Sequence, residues 1–512
     1  MTFDLFKTNS VDIKNVLGSC VCSFAHRYHF LVSLYISTGN SYQPLVYNVC
    51  ISYFRHKDVK IQTINPATEQ ILGEYEAISE HQVNEEVKHS RMVFERIWKK
   101  FDISERAKLL RNLSSMLLQR KKEYAIIITN EMGKPISESI KEVEKCSWVC
   151  NYYADNGKKF LERERIETDA KDSYVQFDPL GVIGCIMPWN FPFWQVLRFC
   201  VPALLSGNTV VLKHSSVCVA AGNTIQAALE DVGFPKGVLR HVTGNYLIGE
   251  ALAKSNVDAV SITGSTEAGK RVAEIASQNL HKFILELGGS DPFIVLKDAD
   301  IDKAAKVGVA SRFLNNGQSC IAAKRFIVEH EIVEEFTKKF LENVQTQVLG
   351  DPLDTKTTIG PLVRDNSRNV IMNQIGRSAL KGAQVLVGGT VPDMKGFFFD
   401  PTVLSNVKPD MPISKEEVFG PVAPIISARD HVEAIRFAND TEFGLGASIW
   451  SEHFAKENNL AKEIEAGMVF VNSMVISDPR VPFGGIKSSG IGRELSNYGL
   501  KEFVNIKSVI IN

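Results

Sequence analysis

With 512 residues, 44% of them hydrophobic and 23% charged, the chain exceeds what one hydrophobic core can organise, so two or three domains are expected. Its 58 basic and 59 acidic side chains leave a net charge of −1, which excludes a broad basic field for nucleic acid or an anionic membrane surface. The longest apolar runs, such as Phe30–Ile36 and Val182–Met187, fall far short of the roughly 20 residues that span a bilayer, and nothing at the start reads as a signal peptide.

Residues 1–63 form an N-terminal extension of unknown role, with three cysteines, several aromatics and little amphipathic periodicity. Nine cysteines without framework spacing suit a reducing cytosol, and a cytoplasmic location is expected. Cys20-x-Cys22 and Cys146-x3-Cys150 lack a second ligand pair at metal spacing, so no metal site is expected.

From Ile64 the pattern becomes regular. Ser104 followed by Glu105 opens a helix carrying Leu109, Leu110, Leu113, Met116 and Leu117 on one stripe, and Gly133-Lys134-Pro135 is its stop signal. Apolar runs at Val182–Met187, Thr209–Lys213, Val238–Val242, Asp258–Thr263 and Phe283–Leu287 then alternate with helical spacers such as Val217–Asp231 and Thr266–Ser277. That alternation predicts an α/β fold with a parallel sheet covered on both faces, which binds nucleotides at the carboxyl ends of its strands. A second alternating block from Phe293 to about Ile476 reads as another α/β domain.

Gly264-Ser-Thr-Glu-Ala-Gly269-Lys270 fits a P-loop until Arg271, where a magnesium-binding hydroxyl is required, so the NTPase reading fails. What survives is a turn opening a helix whose free N–H groups suit a pyrophosphate, or equally a plain cap. Cys320, in Asn316-Gly-Gln-Ser-Cys320, is a candidate nucleophile, although a lone cysteine after a glycine turn is more often structural. Glu286, closing an apolar strand beside Gly288-Gly289, is a candidate base whose pKa desolvation would raise. Asn190, held between Pro188 and Pro192, could donate its amide to an oxyanion together with the Cys320 N–H.

Pro188-Trp-Asn-Phe-Pro192, Thr263-Gly-Ser-Thr266, Glu286-Leu-Gly-Gly289, Gly317-Gln-Ser-Cys320, Glu417-Val-Phe-Gly-Pro421 and Pro482-Phe-Gly-Gly-Ile-Lys487 follow one another in order. Together they resemble the aldehyde dehydrogenase superfamily, from about Ile64 to the C-terminus. The resemblance implies a Rossmann-like cofactor domain over 64–159 and 180–289. It adds an α/β catalytic domain over 290–476 and a small β oligomerisation arm over 160–179 and 497–512. It also implies that Cys320 attacks the aldehyde, that Asn190 and the Cys320 N–H hold the oxyanion, and that Glu286 activates water to release a free acid. Trp189, Lys213, Ser215, Ser216, Gly264, Ser265, Leu287 and Glu417 fall at cofactor-binding positions. A homodimer or homotetramer is expected.

Strictly NAD-preferring members carry a Glu three residues after the lysine, where this chain has Ser216. Serine removes a repulsion of about 1 kcal/mol on a 2′-phosphate, so NADP use is expected and NAD use stays open. His214 reads as an ordinary surface histidine. Within the superfamily the chain looks most like the succinate-semialdehyde dehydrogenases, through Met187–Arg198, Leu287–Val295 and Ser488–Glu494. Arg198 stands where that branch holds the substrate carboxylate. A second arginine common six residues before the cysteine is replaced by Leu314, for which Arg312, Arg480 or Ser477 are candidate substitutes. Other semialdehydes, aliphatic aldehydes and, remotely, a non-catalytic relative remain alternatives.

Overall fold

The computed structural model describes residues 60–512 and, before them, two strands. The chain divides into a unit of residues 1–57 and a unit of residues 58–512. In the first, Val32–Thr38 and Ser41–Tyr47 pair antiparallel; Cys20, Cys22 and the other residues before Lys60 lie outside the described residues. Among the described residues no helix is long and apolar enough to cross a membrane.

In the larger unit, a six-stranded sheet runs in the order Gly490–Ile491, Lys282–Glu286, Ala259–Thr263, Val182–Met187, Thr209–His214, Leu239–His241, parallel except at its first strand. Its strands start and stop within about two residues of the apolar runs that announce them. Helices such as Glu80–Arg96, Trp194–Leu205 and Val219–Asp231 cover it, so Thr209–His214 and Ala259–Thr263 are buried along their whole length. The chain leaves Val182–Met187 toward one side of the sheet and returns to Ala259–Thr263 on the other. A crevice therefore opens between the carboxyl ends of these two neighbours.

A second sheet has the order Gln384–Val387, Thr402–Ser405, Val422–Ala428, Ala323–Glu329, Asp291–Val295, Gly446–Trp450, Met468–Val471. A third, smaller sheet sets Asp172–Pro179 between Val504–Ile511 and Glu164–Arg165.

The helix expected to open at Ser104 starts one residue earlier. Asp102 is its cap, accepting from the N–H of Ser104 (2.7 Å) and of Glu105 (2.9 Å), while Glu105 reaches back to the Asp102 N–H (2.7 Å). The Asp-x-x-Glu box outcompetes the serine because a carboxylate satisfies two of the orphan donors at once. The helix also breaks at Arg120, and a second one, Lys121–Met132, ends on Gly133 at φ 79°. A Cβ there would lie 2.7 Å from Pro361 and 2.9 Å from Pro66, so both conformation and space demand glycine.

Candidate active site

Cys320 follows a backbone that few sequences tolerate. Asn315 (φ 55°), Asn316 (φ 58°) and Gly317 (φ 74°) are successive left-handed residues, a region where asparagine and glycine carry the smallest steric cost. A Cβ at residue 317 would meet the Gly420 carbonyl carbon at 2.3 Å. Side chains then pin the loop. Asn316 Nδ2 donates to the carbonyls of Gly133 (3.0 Å) and Pro361 (2.8 Å), and Glu138 accepts from the Asn315 N–H (2.8 Å). Asn315 Nδ2 donates to the carbonyls of Asn190 (2.7 Å) and Gln318 (3.0 Å). Asn190 Nδ2 donates to the same Gln318 oxygen (3.2 Å), so the candidate oxyanion donor is tied to the nucleophile loop. Its own Oδ1 is buried and unpaired among the described residues.

Cys320 stands on the wall of a cavity of about 610 Å³ that is also lined by Lys145, Phe191, Trp194, Arg198, Ser477 and Phe483. Of the proposed substitutes for the missing arginine, only Ser477 lines this cavity. Arg312 is buried instead against the carbonyls of Val418 (3.0 Å) and Gly420, and Arg480 pairs with Asp478 in solvent. Leu314, at the position of that arginine, lines the cavity too. Burial pushes the Cys320 thiol up to about 12, against the pull of Lys324 and Arg198.

Glu286 does not line the cavity. It ends its strand beside Gly490, buried, with neither carboxylate oxygen hydrogen-bonded among the described residues. Burial, and secondarily the Glu494 charge, raise its pKa well above the ordinary carboxylate range, partly offset by Arg198 and Arg493. Arg198 links the two places. It lines the cavity, pairs with the buried Glu494, reaches Thr263 Oγ1 at 3.4 Å, and packs its guanidinium 4.4 Å from the Phe483 ring.

The candidate cofactor residues gather at the carboxyl end of the first sheet. Lys213 is buried, without a hydrogen bond or ion pair among the described residues, and burial with the Arg364 charge pulls it down to about 8. A buried ammonium lacking an acceptor fits a ribose hydroxyl or a phosphate. Ser215 and Ser216 follow it in a partly exposed turn. Across the crevice Ser265 caps the helix Thr266–Gln278, its Oγ accepting from the Ala268 N–H (3.3 Å), and Gly264 precedes it. First-turn N–H groups of this helix are left for an anion. Trp189 meets Phe419 edge-on at 5.7 Å. Glu417 accepts from the Gly289 N–H (3.0 Å) and pairs with Lys324 (3.3 Å). It lies so near the backbone that a Cβ at Gly288 would fall 2.5 Å from it. The Leu287 N–H donates to the Ser489 carbonyl (2.9 Å). These features fit a nicotinamide dinucleotide.

His214 is not a surface histidine. It is buried, its Nδ1 accepts from the Ser215 N–H (2.8 Å), and its Nε2–H therefore donates to the Pro192 carbonyl (2.9 Å). Burial pulls it down to about 4, so it is neutral at pH 7 and adds no charge toward a phosphate.

Several contributors carry no motif. Glu138, Glu142 and Lys145 fall at spacings of four and three on the helix Ile136–Phe160, a one-face pattern that was available in the sequence. Glu142 accepts from the N–H groups of Phe193 (2.9 Å) and Trp194 (3.0 Å) and pairs with the buried Lys134, so it fixes the turn after Asn190. Lys324, fully buried, donates to the carbonyls of Ser319 (2.8 Å) and Cys320 (2.6 Å) and connects them to Glu417. No local signal marks it. Glu494 stands in a quoted motif, but only the fold brings it to Arg198.

The sequence pattern of the aldehyde dehydrogenase family matches residues 53–509. A Synechocystis sp. protein described as a probable succinate-semialdehyde dehydrogenase, NADP(+), is 44% identical over 452 residues, 88% of this chain and 99% of its own. The Escherichia coli succinate semialdehyde dehydrogenase Sad, described as using NAD(P)+, is 41% identical over 448 residues, 87% of this chain and 97% of its own. The crystal structure of succinic semialdehyde dehydrogenase from Streptococcus pyogenes with NADP+ superposes with a TM-score of 0.85 at 36% identity, covering 88% of this chain and 99% of that one.

Proposed function

This chain belongs to the aldehyde dehydrogenase family and oxidises an aldehyde with NAD(P)+, and from that premise we propose that its substrate is succinate semialdehyde, released as free succinate. The observation that carries the reading is a cavity holding Cys320 together with cationic and hydroxyl groups suited to the substrate's carboxylate.

The roles proposed are these. The Cys320 thiol gives up its proton to water, its sulfur attacks the aldehyde carbon, and the resulting oxyanion is met by the Asn190 amide and the Cys320 N–H. The nicotinamide, when bound, supplies the hydride acceptor. Lys213, Ser215, Ser216, Gly264, Ser265, Trp189, Leu287 and Glu417 would hold that cofactor, and Ser216 leaves room for a 2′-phosphate. Glu286 then takes a proton from the water that cleaves the Cys320 thioester. Desolvation, which raises its pKa above the ordinary carboxylate range, makes the ionised carboxylate a stronger base than a solvated one. Because the carboxylate lies outside the cavity wall, it must turn toward Cys320 to act, or act through a water between them. Arg198 and Ser477 hold the far end of the substrate. Residues 64–159 and 180–289 serve the cofactor, residues 290–476 supply the nucleophile, and residues 160–179 with 497–512 join subunits of a dimer or tetramer. Free thiols at Cys146, Cys150, Cys185, Cys200 and Cys218 suit a reducing, cytoplasmic setting.

Initial rates with succinate semialdehyde, glutarate semialdehyde and butanal, each with NADP and NAD, test the reading. The highest kcat/KM is expected for succinate semialdehyde, lowered in Arg198→Ala. Equal values across the panel, unchanged by that substitution, overturn the substrate assignment.

A further inference from the structure

Four cations line the cavity that holds Cys320: Lys141, Lys145, Arg198 and Lys306. Lys141 and Lys306 are exposed and keep their water. Arg198 enters the site with its charge already matched by Glu494. The two acids on the wall are also committed, Glu138 to the Asn315 N–H, and Glu142 to Lys134 and to the N–H groups of Phe193 and Trp194. Lys145 differs from all of these. Its ammonium is partly buried, rests 4.4 Å from the Trp194 ring and donates to Ser477 Oγ at 2.6 Å, with no carboxylate at ion-pair distance among the described residues.

A desolvated ammonium with one hydroxyl and one aromatic face for company lacks a counter-ion. Burial and the repulsion of Arg198 pull it down to about 8, the direction expected of a cation short of an anion. We propose that Lys145, with the Ser477 hydroxyl beside it, is a second anchor, alongside Arg198, for the distal carboxylate of the aldehyde substrate. Lys145 thereby fills the role left open by Leu314. The Trp194 face fixes the ammonium from one side, and Ser477 offers its own O–H to the incoming carboxylate while accepting from Lys145. The apolar walls of Phe191 and Phe483 take the methylenes between the carboxylate and the aldehyde. This inference rests on the proposed succinate-semialdehyde reading and adds a residue that would select aldehydes ending in an anion.

The test compares kcat/KM for succinate semialdehyde with that for butanal, which has the same carbon count and no carboxylate. It uses the full-length enzyme, Lys145→Met, Lys145→Arg and Ser477→Ala. The ratio is expected to fall about 10- to 100-fold in Lys145→Met, the cost of a hydrogen bond to a charged group. The fall should come through KM, with a smaller fall in Ser477→Ala and most of the ratio restored in Lys145→Arg. Succinate as a competitive inhibitor should weaken in parallel, which reads binding apart from turnover. A wild type favouring succinate semialdehyde whose ratio is untouched in Lys145→Met and Ser477→Ala overturns the anchor alone. A wild type favouring butanal overturns the substrate reading and the anchor with it.

Discussion

At the scale of single residues, the site separates the proposed nucleophile from the proposed base. Cys320 faces the cavity, while Glu286 is buried behind it next to Arg198 and Glu494. Cys320→Ser should therefore lose all turnover, roughly a thousandfold or more. Glu286→Gln should instead keep a single fast burst of reduced cofactor and lose the steady rate that follows, because acylation survives and deacylation does not. Stopped-flow absorbance of the nicotinamide distinguishes the two, and a Glu286→Gln enzyme without a burst would show that the carboxylate acts before the thioester. Cys320, Glu286 and Asn190, the proposed catalytic groups, could be singled out in the sequence because each sits in a short run whose turn chemistry is local. Lys145, Lys324 and Glu494 were not, because their partners are about 330 residues away (Ser477), 93 residues away (Glu417) and 296 residues away (Arg198). His214 was misread for the same reason: an alternation of polar residues after a strand looks exposed until the Pro192 turn closes over it.

At the scale of elements, one helix supports several walls of the site. From Ile136–Phe160, Glu138 holds the nucleophile loop, Glu142 holds the turn after Asn190, and Lys145 reaches Ser477. Glu142 also neutralises a lysine with no access to solvent. Glu142→Ala leaves that ammonium buried and unpaired, a loss of about 3–5 kcal/mol in urea unfolding. Lys134→Met combined with Glu142→Leu should recover a large part of the loss, because no charge then remains buried. A double variant no better than the single would mean the backbone caps at Phe193 and Trp194 carry the effect. Glu138 provides a titration at the same helix. Burial raises its carboxyl to about 7, so the folded state holds a proton that the unfolded state gives up near 4.5. Its contribution is fully present below that lower value and is lost as pH rises through about 7. Between about pH 5 and about pH 8 the wild type should lose stability relative to Glu138→Gln, read as diverging urea midpoints; parallel midpoints would refute the assignment. The stop signal at Gly133-Lys134-Pro135 lies just before this helix, and the helix itself was not foreseen from the sequence. Nor was its use as a scaffold, since the spacing shows a face but not what that face meets.

At the scale of the whole molecule, the alternation of apolar runs and helical spacers predicted the first sheet nearly strand for strand, because strands buried on both faces must be apolar throughout. Strand order is a different matter, fixed by crossovers that no local pattern records. The small sheet leaves Val504–Ile511 as an edge strand, with Ile506 at 59% and Ile510 at 64% exposure in the isolated chain. An edge of this length and character calls for a partner. Light scattering at micromolar protein should give the mass of a dimer or tetramer, falling in Ile506→Asp with Ile510→Asp; a monomeric wild type would contradict the proposed arm. One further property belongs to the molecule as a whole. Burial raises the thiols of Cys146, Cys150, Cys185 and Cys218, and holds Cys320 at about 12 as well. Peroxide and alkylating agents consume thiolates, not thiols. The same desolvation thus favours the protonated sulfur at all of these positions, at the proposed nucleophile as well as at the four thiols with no part in the reaction.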